Sequence, residues 1–242
     1  MDIATALLFN LVIGVAAFMS SLTGFGYALV ATPFLVLLFP PQLVVPVVLI
    51  SWVPLATLVA REAKGKMQPR RIGRWVLGGV FGVPLGGYGL ARVDEGVMLA
   101  AIGGITLIAA LTLWLKPSRP LQKEGLAAAA VGFVSGVMGG ATGMSGPPVI
   151  LFGLNQGWDH RELRANLIGY FVIIHSLALV FLGEFGILNW ETLLLGVAAL
   201  PGLMLGYAGG MYLKEKVSQR HFRSLAFALV CIGGLLALVK NG

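Results

Sequence analysis

The sequence predicts an all-α integral membrane protein made of two inverted repeats of about five membrane segments each. Three observations carry that expectation: long apolar runs without charge, two glycine-rich breaks each followed by an apolar run of half length, and a second half that repeats the first. The apolar fraction is 57 % and the charged fraction 11 %, against roughly 45–50 % and about 25 % in an ordinary soluble domain. The bilayer rather than one buried core then holds the helices. The chain reads as a single membrane domain, 1–242, with repeat 1 over about 1–118 and repeat 2 over about 119–242.

In chain order the apolar segments run over about 3–19, 31–39, 43–60, 72–91, 96–115, 125–138, 146–155, 163–183, 190–212 and 222–239. Most approach the ~20 residues with which a helix crosses ~30 Å of hydrocarbon. The first follows Asp2 and no Lys or Arg, unlike the basic start of a cleaved secretory signal, and reads as retained. Segments 31–39 and 146–155 are half as long, and each follows a glycine-rich break. A helix of that length extends only ~12–15 Å, so its N-terminus is expected near the midplane. Ser145 ahead of Gly146, Pro147 and Pro148 reads as a helix start, with Ser as cap and Pro where no N–H is needed. Thr32 and Pro33 repeat that pattern in the first half.

The charges test this segmentation. With the N-terminus outside and each half-length segment returning the chain to the side it came from, the inside connections hold Arg61, Lys64, Lys66, Arg70, Arg71, Arg74, Lys116, Arg119, Lys123, Arg161, Arg164, Lys214, Lys216, Arg220 and Arg223. That is 15 of the 17 basic residues, leaving Arg92 and Lys240 outside. The positive-inside rule predicts such an asymmetry. Counting each broken element as one span flips the later loops and loses the bias, so the re-entrant reading is preferred.

The repeat is visible in the letters. FMSSLTGFGYALVATPFLVLL from Phe18 lies against FVSGVMGGATGMSGPPVILFG from Phe133 at an offset of 115, setting Ser20 on Ser135, Gly24 on Gly139 and Pro33 on Pro148. A weaker echo sets Leu77–Pro84 on Leu194–Pro201 at an offset of 117. An odd number of segments per half turns the second half upside down relative to the first. Interrupted helices at matching positions of inverted halves are the pattern of many secondary transporters, whose substrates bind near the midplane at the repeat interface.

Two such helix starts, with unpaired N–H groups and positive dipole ends, suit an anion. The acids support that sign. Asp2, Glu62, Asp94, Glu95, Glu124, Asp159, Glu162, Glu184, Glu191 and Glu215 all fall at segment ends or in connections, which leaves no midplane carboxylate for a cation or a proton relay, although backbone carbonyls could hold Na⁺. The candidate substrate-binding residues are Ser20, Thr23, Gly24, Gly26 and Tyr27 at the first break, Gly139, Gly140, Thr142, Gly143, Ser145 and Gly146 at the second, and Asn166 on the inner access path. Packing through small residues explains Gly202, Gly206 and Gly210 and competes at Gly139 and Gly143, while a helix–helix hydrogen bond competes at Asn166. His175, a titratable side chain deep in a span, is either a bonded interior histidine or the carrier of a coupling proton. Asp159 and Glu162 have the spacing of a capping box, so capping and topology account for Arg161 and Arg164. Trp75, Trp114, Trp158 and Trp190 read as interface anchors; Trp52, beside Ser51, is the exception that could face the site.

Other classes are disfavoured. Cys231 stands alone, which excludes a disulfide framework or thiolate cluster, and no metal or cofactor is expected. The basic residues sit in connections rather than on one face, which disfavours nucleic acid. There is no HExxH, GxSxG or catalytic Cys with His, and no paired intramembrane carboxylates, so no enzyme is expected. The expected partners are a small anion and the lipid bilayer. A carrier and an anion channel compete, and the oligomeric state is open, with a homodimer among the options.

The paired motifs SLTGFGYALVATPFL and GVMGGATGMSGPPVILF, in two similar halves covering essentially the whole chain, resemble the sulfite exporter TauE/SafE family of bacterial membrane permeases. The resemblance implies seven or eight full spans with each broken helix counted once. It also implies the bacterial cell membrane and transport of small sulfur oxyanions or organosulfonates, such as sulfite or sulfoacetate, without an ATPase partner. Tyr27, Ala28 and Val30 stand where the family commonly has glycines before the Pro, and the exact substrate stays open between sulfite, an organosulfonate, thiosulfate and a carboxylate.

Overall fold

The computed structural model describes residues 2–62, 67–114, 124–213 and 219–240, with side chains except at 60–62, 112–114 and 219–224. These residues form α1 (Ile3–Thr23), α2 (Tyr27–Leu35), α3 (Pro41–Glu62), α4 (Pro69–Arg92), α5 (Glu95–Trp114), α6 (Glu124–Thr142), α7 (Gly146–Asn155), α8 (His160–Glu184), α9 (Trp190–Ala198), α10 (Leu200–Leu213) and α11 (Gln219–Val239). Helices α1, α3 over Pro41–Val59, α6, α8 and the α9–α10 pair are long and apolar enough to cross a membrane; α5 and α11 carry shorter apolar stretches. The α9–α10 pair is one span interrupted at Ala199, where Pro201 has no N–H to donate back into α9. The fold is all-α and multi-pass.

Local chemistry sets the helix ends. Asp2 caps α1 by accepting the Thr5 N–H at 3.0 Å. Asp159 caps α8 by accepting from Arg161 at 3.0 Å. The capping box expected there is only half made, because Glu162 turns away to accept from Arg71 of α4 at 2.5 Å and from Gln68, the N-cap of α4. The first half-length helix corrects the sequence reading. It starts at Tyr27 rather than near residue 31, and Pro33 lies inside it instead of at its start. The glycine at position 26, in the left-handed region at φ 96°, is what turns the chain into helix so soon.

Both half-length helices return alongside the helix before them. Phe39, just past α2, meets Phe9 of α1 edge-on at 6.0 Å. Phe152 of α7 meets Trp75 at 6.3 Å, and Trp75 is level with Gly132 of α6, where an added Cβ would stand 2.0 Å from its carbonyl oxygen. Helices α1–α2 and α6–α7 are therefore hairpins and not continuous rods.

Each hairpin is welded to a glycine-lined neighbour. Cβ atoms on Gly78, Gly82 and Gly86 of α4 would lie 1.8, 2.2 and 2.0 Å from the carbonyl oxygens of Ala129, Phe133 and Val137 on α6, so the two helices run parallel with backbones touching. The same holds for α10 on α1, where Cβ atoms on Gly202 and Gly206 would lie 2.2 and 2.0 Å from the oxygens of Asn10 and Gly14. Ion pairs then tie helix ends together at each face. Arg71–Glu162 at 2.5 Å and Arg74–Glu124 at 3.7 Å bring the starts of α4, α6 and α8 to one face. Lys240 lies 3.9 Å from Glu95 and donates to the Val36 carbonyl at 2.7 Å, joining the ends of α11 and α2 to the start of α5 at the other. Of the remaining basic residues counted as inside, Lys64, Lys66, Lys116, Arg119, Lys123, Lys214 and Lys216 and the side chains of Arg61, Arg220 and Arg223 lie outside the described residues.

The tryptophans divide. Trp190 is exposed, as an interface anchor is, but Trp75 is fully buried. Its ring packs on Phe152, Trp158 and Tyr170, so it is a core residue of α4, α7 and α8 and not an anchor. The side chain of Trp114 lies outside the described residues.

Candidate functional site

The two breaks are built alike. Thr23, the last residue of α1, donates to the Met19 carbonyl at 3.0 Å, also contacts the Phe25 carbonyl, and accepts the Phe25 N–H at 3.3 Å. Thr142, the last residue of α6, donates to the Met138 carbonyl at 2.7 Å and accepts the Met144 N–H at 3.3 Å. The next residue in each case is a left-handed glycine, Gly24 at φ 83° and Gly143 at φ 75°. Its N–H closes the helix on Ser20 O at 2.7 Å and on Gly139 O at 2.9 Å. The structural correspondence thus has an offset of 119, Thr23 with Thr142 and Gly24 with Gly143. That is four residues more than the sequence alignment at 115, which set Gly24 on Gly139 within α6.

The starts of the two returning helices are level with the middles of neighbouring helices. Tyr27 opens α2 and reaches Ser51, midway along α3, hydroxyl to hydroxyl at 2.7 Å. Ser145 opens α7, and its carbonyl accepts from Ser135, midway along α6, at 2.5 Å. Its hydroxyl lies 3.1 Å from Nε2 of His175, midway along α8. The expected cap is absent: Ser145 occupies the N-cap position without capping, because the hydroxyl is turned to the histidine. Trp52, next to Ser51, stands edge-on to the His175 ring at 4.7 Å, and Phe171 stacks on it at 5.4 Å. The hairpins also touch directly, through Thr32 of α2 donating to the Thr142 carbonyl at 3.2 Å. They lie side by side, the middle of α2 against the end of α6, rather than tip to tip.

Tyr27, Thr32, Ser51, Thr142, Ser145 and His175 are all buried. Buried polar groups are normally satisfied, yet Nδ1 of His175 has no partner, and neither does Nδ2 of Asn166. These are sites to which a ligand or water can bind. The backbone donors differ between the two helix starts. The first intrahelical bond of α2 runs from Val30 to Gly26 O, so the N–H groups of Tyr27, Ala28 and Leu29 have no intrahelical acceptor, and no side chain caps them. In α7 the equivalent positions are Gly146, Pro147 and Pro148, of which only Gly146 carries an N–H.

The remaining candidates are spread around this cluster. Ser20 is buried one turn before the first break. Gly139 faces the Ser145 hydroxyl, 2.1 Å from where its Cβ would be, so it makes room for that side chain. Gly140 faces away, packed on the Val83 carbonyl of α4. Asn166 is at the α4–α8 face, accepting from the Gln68 N–H at 2.6 Å, and is not part of the mid-height cluster. Sequence reasoning missed Thr32 as an inter-hairpin bond, and missed Ser135 and Tyr170, whose hydroxyls lie 2.9 Å apart beneath the second break.

Residues 9–237 match the family described as sulfite exporter TauE/SafE. The chain belongs to the TauE/SafE family. It is a family of membrane transporters and not of enzymes. The chain is also similar to a protein of Cupriavidus necator named probable sulfite/organosulfonate exporter TauE, at 30 % identity over 142 residues, which cover 57 % of this chain and 54 % of that protein. The match thus spans about half the length of that relative. No solved structure matches.

Proposed function

We propose that this TauE/SafE chain is a secondary transporter that moves sulfite or an organosulfonate by alternating access, the anion being held at mid-height between the starts of α2 and α7. The observation that carries the reading is the pair of matching breaks, brought side by side by the Thr32–Thr142 bond and flanked by a buried histidine with an unpartnered nitrogen. Moving a bare ion into hydrocarbon costs tens of kcal/mol by Born solvation, so fixed donors are needed there. The amides of Tyr27, Ala28 and Leu29, the hydroxyl of Ser145 and the ring of His175 are such donors.

The hairpins enter from opposite faces, α6 from the face where α4 and α8 begin and α1 from the other, which supports two inverted repeats over about 1–118 and 119–242. Helices α4 and α6 pair as α10 and α1 do, which supports the same symmetry. We assign the face with Arg70, Arg71, Arg74, Arg161 and Arg164 to the inside of the bacterial inner membrane, with the N-terminus outside. The membrane potential then favours export, by about 2.3 kcal/mol per charge per 100 mV. Uptake would need coupling, for which His175 is the buried titratable group at hand.

Burial of the whole cluster favours a carrier caught closed over its site rather than an open channel. In proteoliposomes, sulfite efflux should saturate with concentration and fall in Ser145→Ala and Thr142→Ala. Unchanged flux in both would remove the site assignment, and flux that rises without limit would favour the channel.

A further inference from the structure

We infer that the mid-height site takes a single negative charge: it accepts monoanionic sulfonates and hydrogensulfite, and it rejects dianions such as sulfite and sulfate. This rests on the transport reading above and names the charge class of the anion that the same site accepts.

The inference starts from where the two helix starts meet. Tyr27 of α2 bonds to Ser51 at 2.7 Å. The next residue of α3, Trp52, stands edge-on at 4.7 Å to His175, which bonds to Ser145 at the start of α7. Both starts therefore reach adjacent residues of α3. Ser145 and His175 are only 1 % and 5 % exposed, and Nδ1 of the ring has no partner. Phe171 stacks parallel to the ring and the Ser145 hydroxyl occupies Nε2, which leaves Nδ1 as the imidazole atom open to a ligand.

The positive charge at this height is small. A helix start is equivalent to about +0.5 elementary charge, and prolines remove N–H groups without removing the peptide dipoles behind them. Two starts then balance about one negative charge. No side chain adds to that, since among the described residues no Asp, Glu, Lys or Arg is buried. The elements packed on α8 are α3, α4, α6 and α7. Neither α3 over Pro41–Val59 nor α7 contains an ionisable residue. Arg70, Arg71 and Arg74 lie in the first turns of α4, with Tyr88 and Arg92 near its end, and Glu124 begins α6. Helix α8 carries its own charges only in its first turns and at Glu184. The titratable groups that do face the cluster are the hydroxyls of Tyr27 and Tyr170, bonded to Ser51 and Ser135.

The cost of desolvating an ion grows with the square of its charge, whereas its attraction to fixed dipoles grows only in proportion. A dianion thus loses about four times what a monoanion loses and regains about twice as much. The second charge would need a buried Lys or Arg. Nδ1 suits both kinds of monoanion, because in one tautomer it donates to a sulfonate oxygen and in the other it accepts the proton that hydrogensulfite carries.

The test uses the purified full-length chain, with thermal unfolding in detergent and flux in proteoliposomes. Methanesulfonate and sulfate are compared at neutral pH, since they share a tetrahedral sulfur and three oxygens and differ in a methyl group against a charged oxygen. Methanesulfonate is expected to stabilise the native form and to be carried. Sulfate is expected to bind more weakly by about tenfold or more. Raising the pH through the ionisation of hydrogensulfite is expected to raise the KM for total sulfite and leave the KM for methanesulfonate unchanged, which separates loss of the monoanion from titration of the protein. His175→Phe keeps a ring beside Trp52 and Phe171 but removes Nδ1, and should raise the KM for methanesulfonate about tenfold, equivalent to about 1.4 kcal/mol; a wild-type KM removes His175 from the inference. Sulfate bound as tightly as methanesulfonate, or a KM for total sulfite that does not rise with pH, overturns the single-charge rule and leaves the transport reading intact. A wild type that neither carries nor is stabilised by any of these anions overturns the transport reading and the inference with it. The sulfate and pH comparisons use the wild type, so they decide the charge class even if His175→Phe does not fold.

Discussion

The two breaks share a cap and differ in what surrounds it. In both, a threonine closes the preceding helix, a left-handed glycine turns the chain, and a short helix runs back alongside the helix before it. Past that point the first break has three open amides, no side-chain cap and an arginine from α8 laid over its glycine. The second has two prolines in place of donors and a serine bonded to a histidine. The shared part is backbone geometry, the turn that sends each chain back alongside the helix before it. The differing part is chemistry: the first break has open backbone donors, and the second has a hydroxyl bonded to a buried histidine. On the proposed reading, an anion held between them would meet positive helix ends on one side and adjustable side chains on the other.

The sharpest way to break the comparison is to substitute both turning glycines. Gly143→Ala should cost about 1–2 kcal/mol of stability, the penalty for an L-residue in the left-handed region, because little else stands within 3.7 Å of its Cβ. Gly24→Ala should cost about 1–3 kcal/mol more, since its Cβ collides with Arg164. Unfolding in detergent reads both, and equal losses would show that Arg164 is not where we place it. Next in size, Ser145→Ala should lower sulfite kcat/KM about 10–100-fold by removing a buried donor to a charged ligand, worth about 1.5–3 kcal/mol. The melting temperature should change far less. A third change adds a donor. Pro147→Ala restores an N–H at the start of α7, and the KM for sulfite should fall about threefold if α7 is short of donors, as the worth of one charge near a helix terminus, about 0.3–1 kcal/mol, implies. The smallest effect is expected from Thr32→Val, which removes the bond between the hairpins and should cost about 1 kcal/mol of stability.

Much of the fold was legible because lipid imposes simple rules. Length and hydropathy located the helices to within about four residues, except that the expected segment 190–212 is two helices, α9 and α10, and the half length of 146–155 matched α7 to the residue. The start of α2 was missed because the sequence reading took Pro33 as a helix-start signal, whereas Gly26 begins the helix and the proline is tolerated two turns in. The match between the turns at Gly24 and Gly143 was missed because glycine is common in both halves, so pairing Gly24 with Gly139 was as easy on paper. Only the backbone conformation distinguishes them. Tyr27, Thr142, Ser145 and His175 were readable as site candidates from their polarity in an apolar context. The contact of Arg164 with the first break was not, since its spacing fits a topological charge and nothing local to α8 reveals that its side chain lies over Gly24, 140 residues earlier.

The central claim is that both breaks bind one oxyanion at mid-height. Selenite, a heavier analogue of sulfite, permits a direct test by anomalous diffraction from crystals of the full chain. The account predicts a selenium peak within hydrogen-bond reach of the Ser145 hydroxyl and of the first amides of α2. A peak confined to the basic ends of α4 and α8, with the space between the hairpins empty, would contradict it.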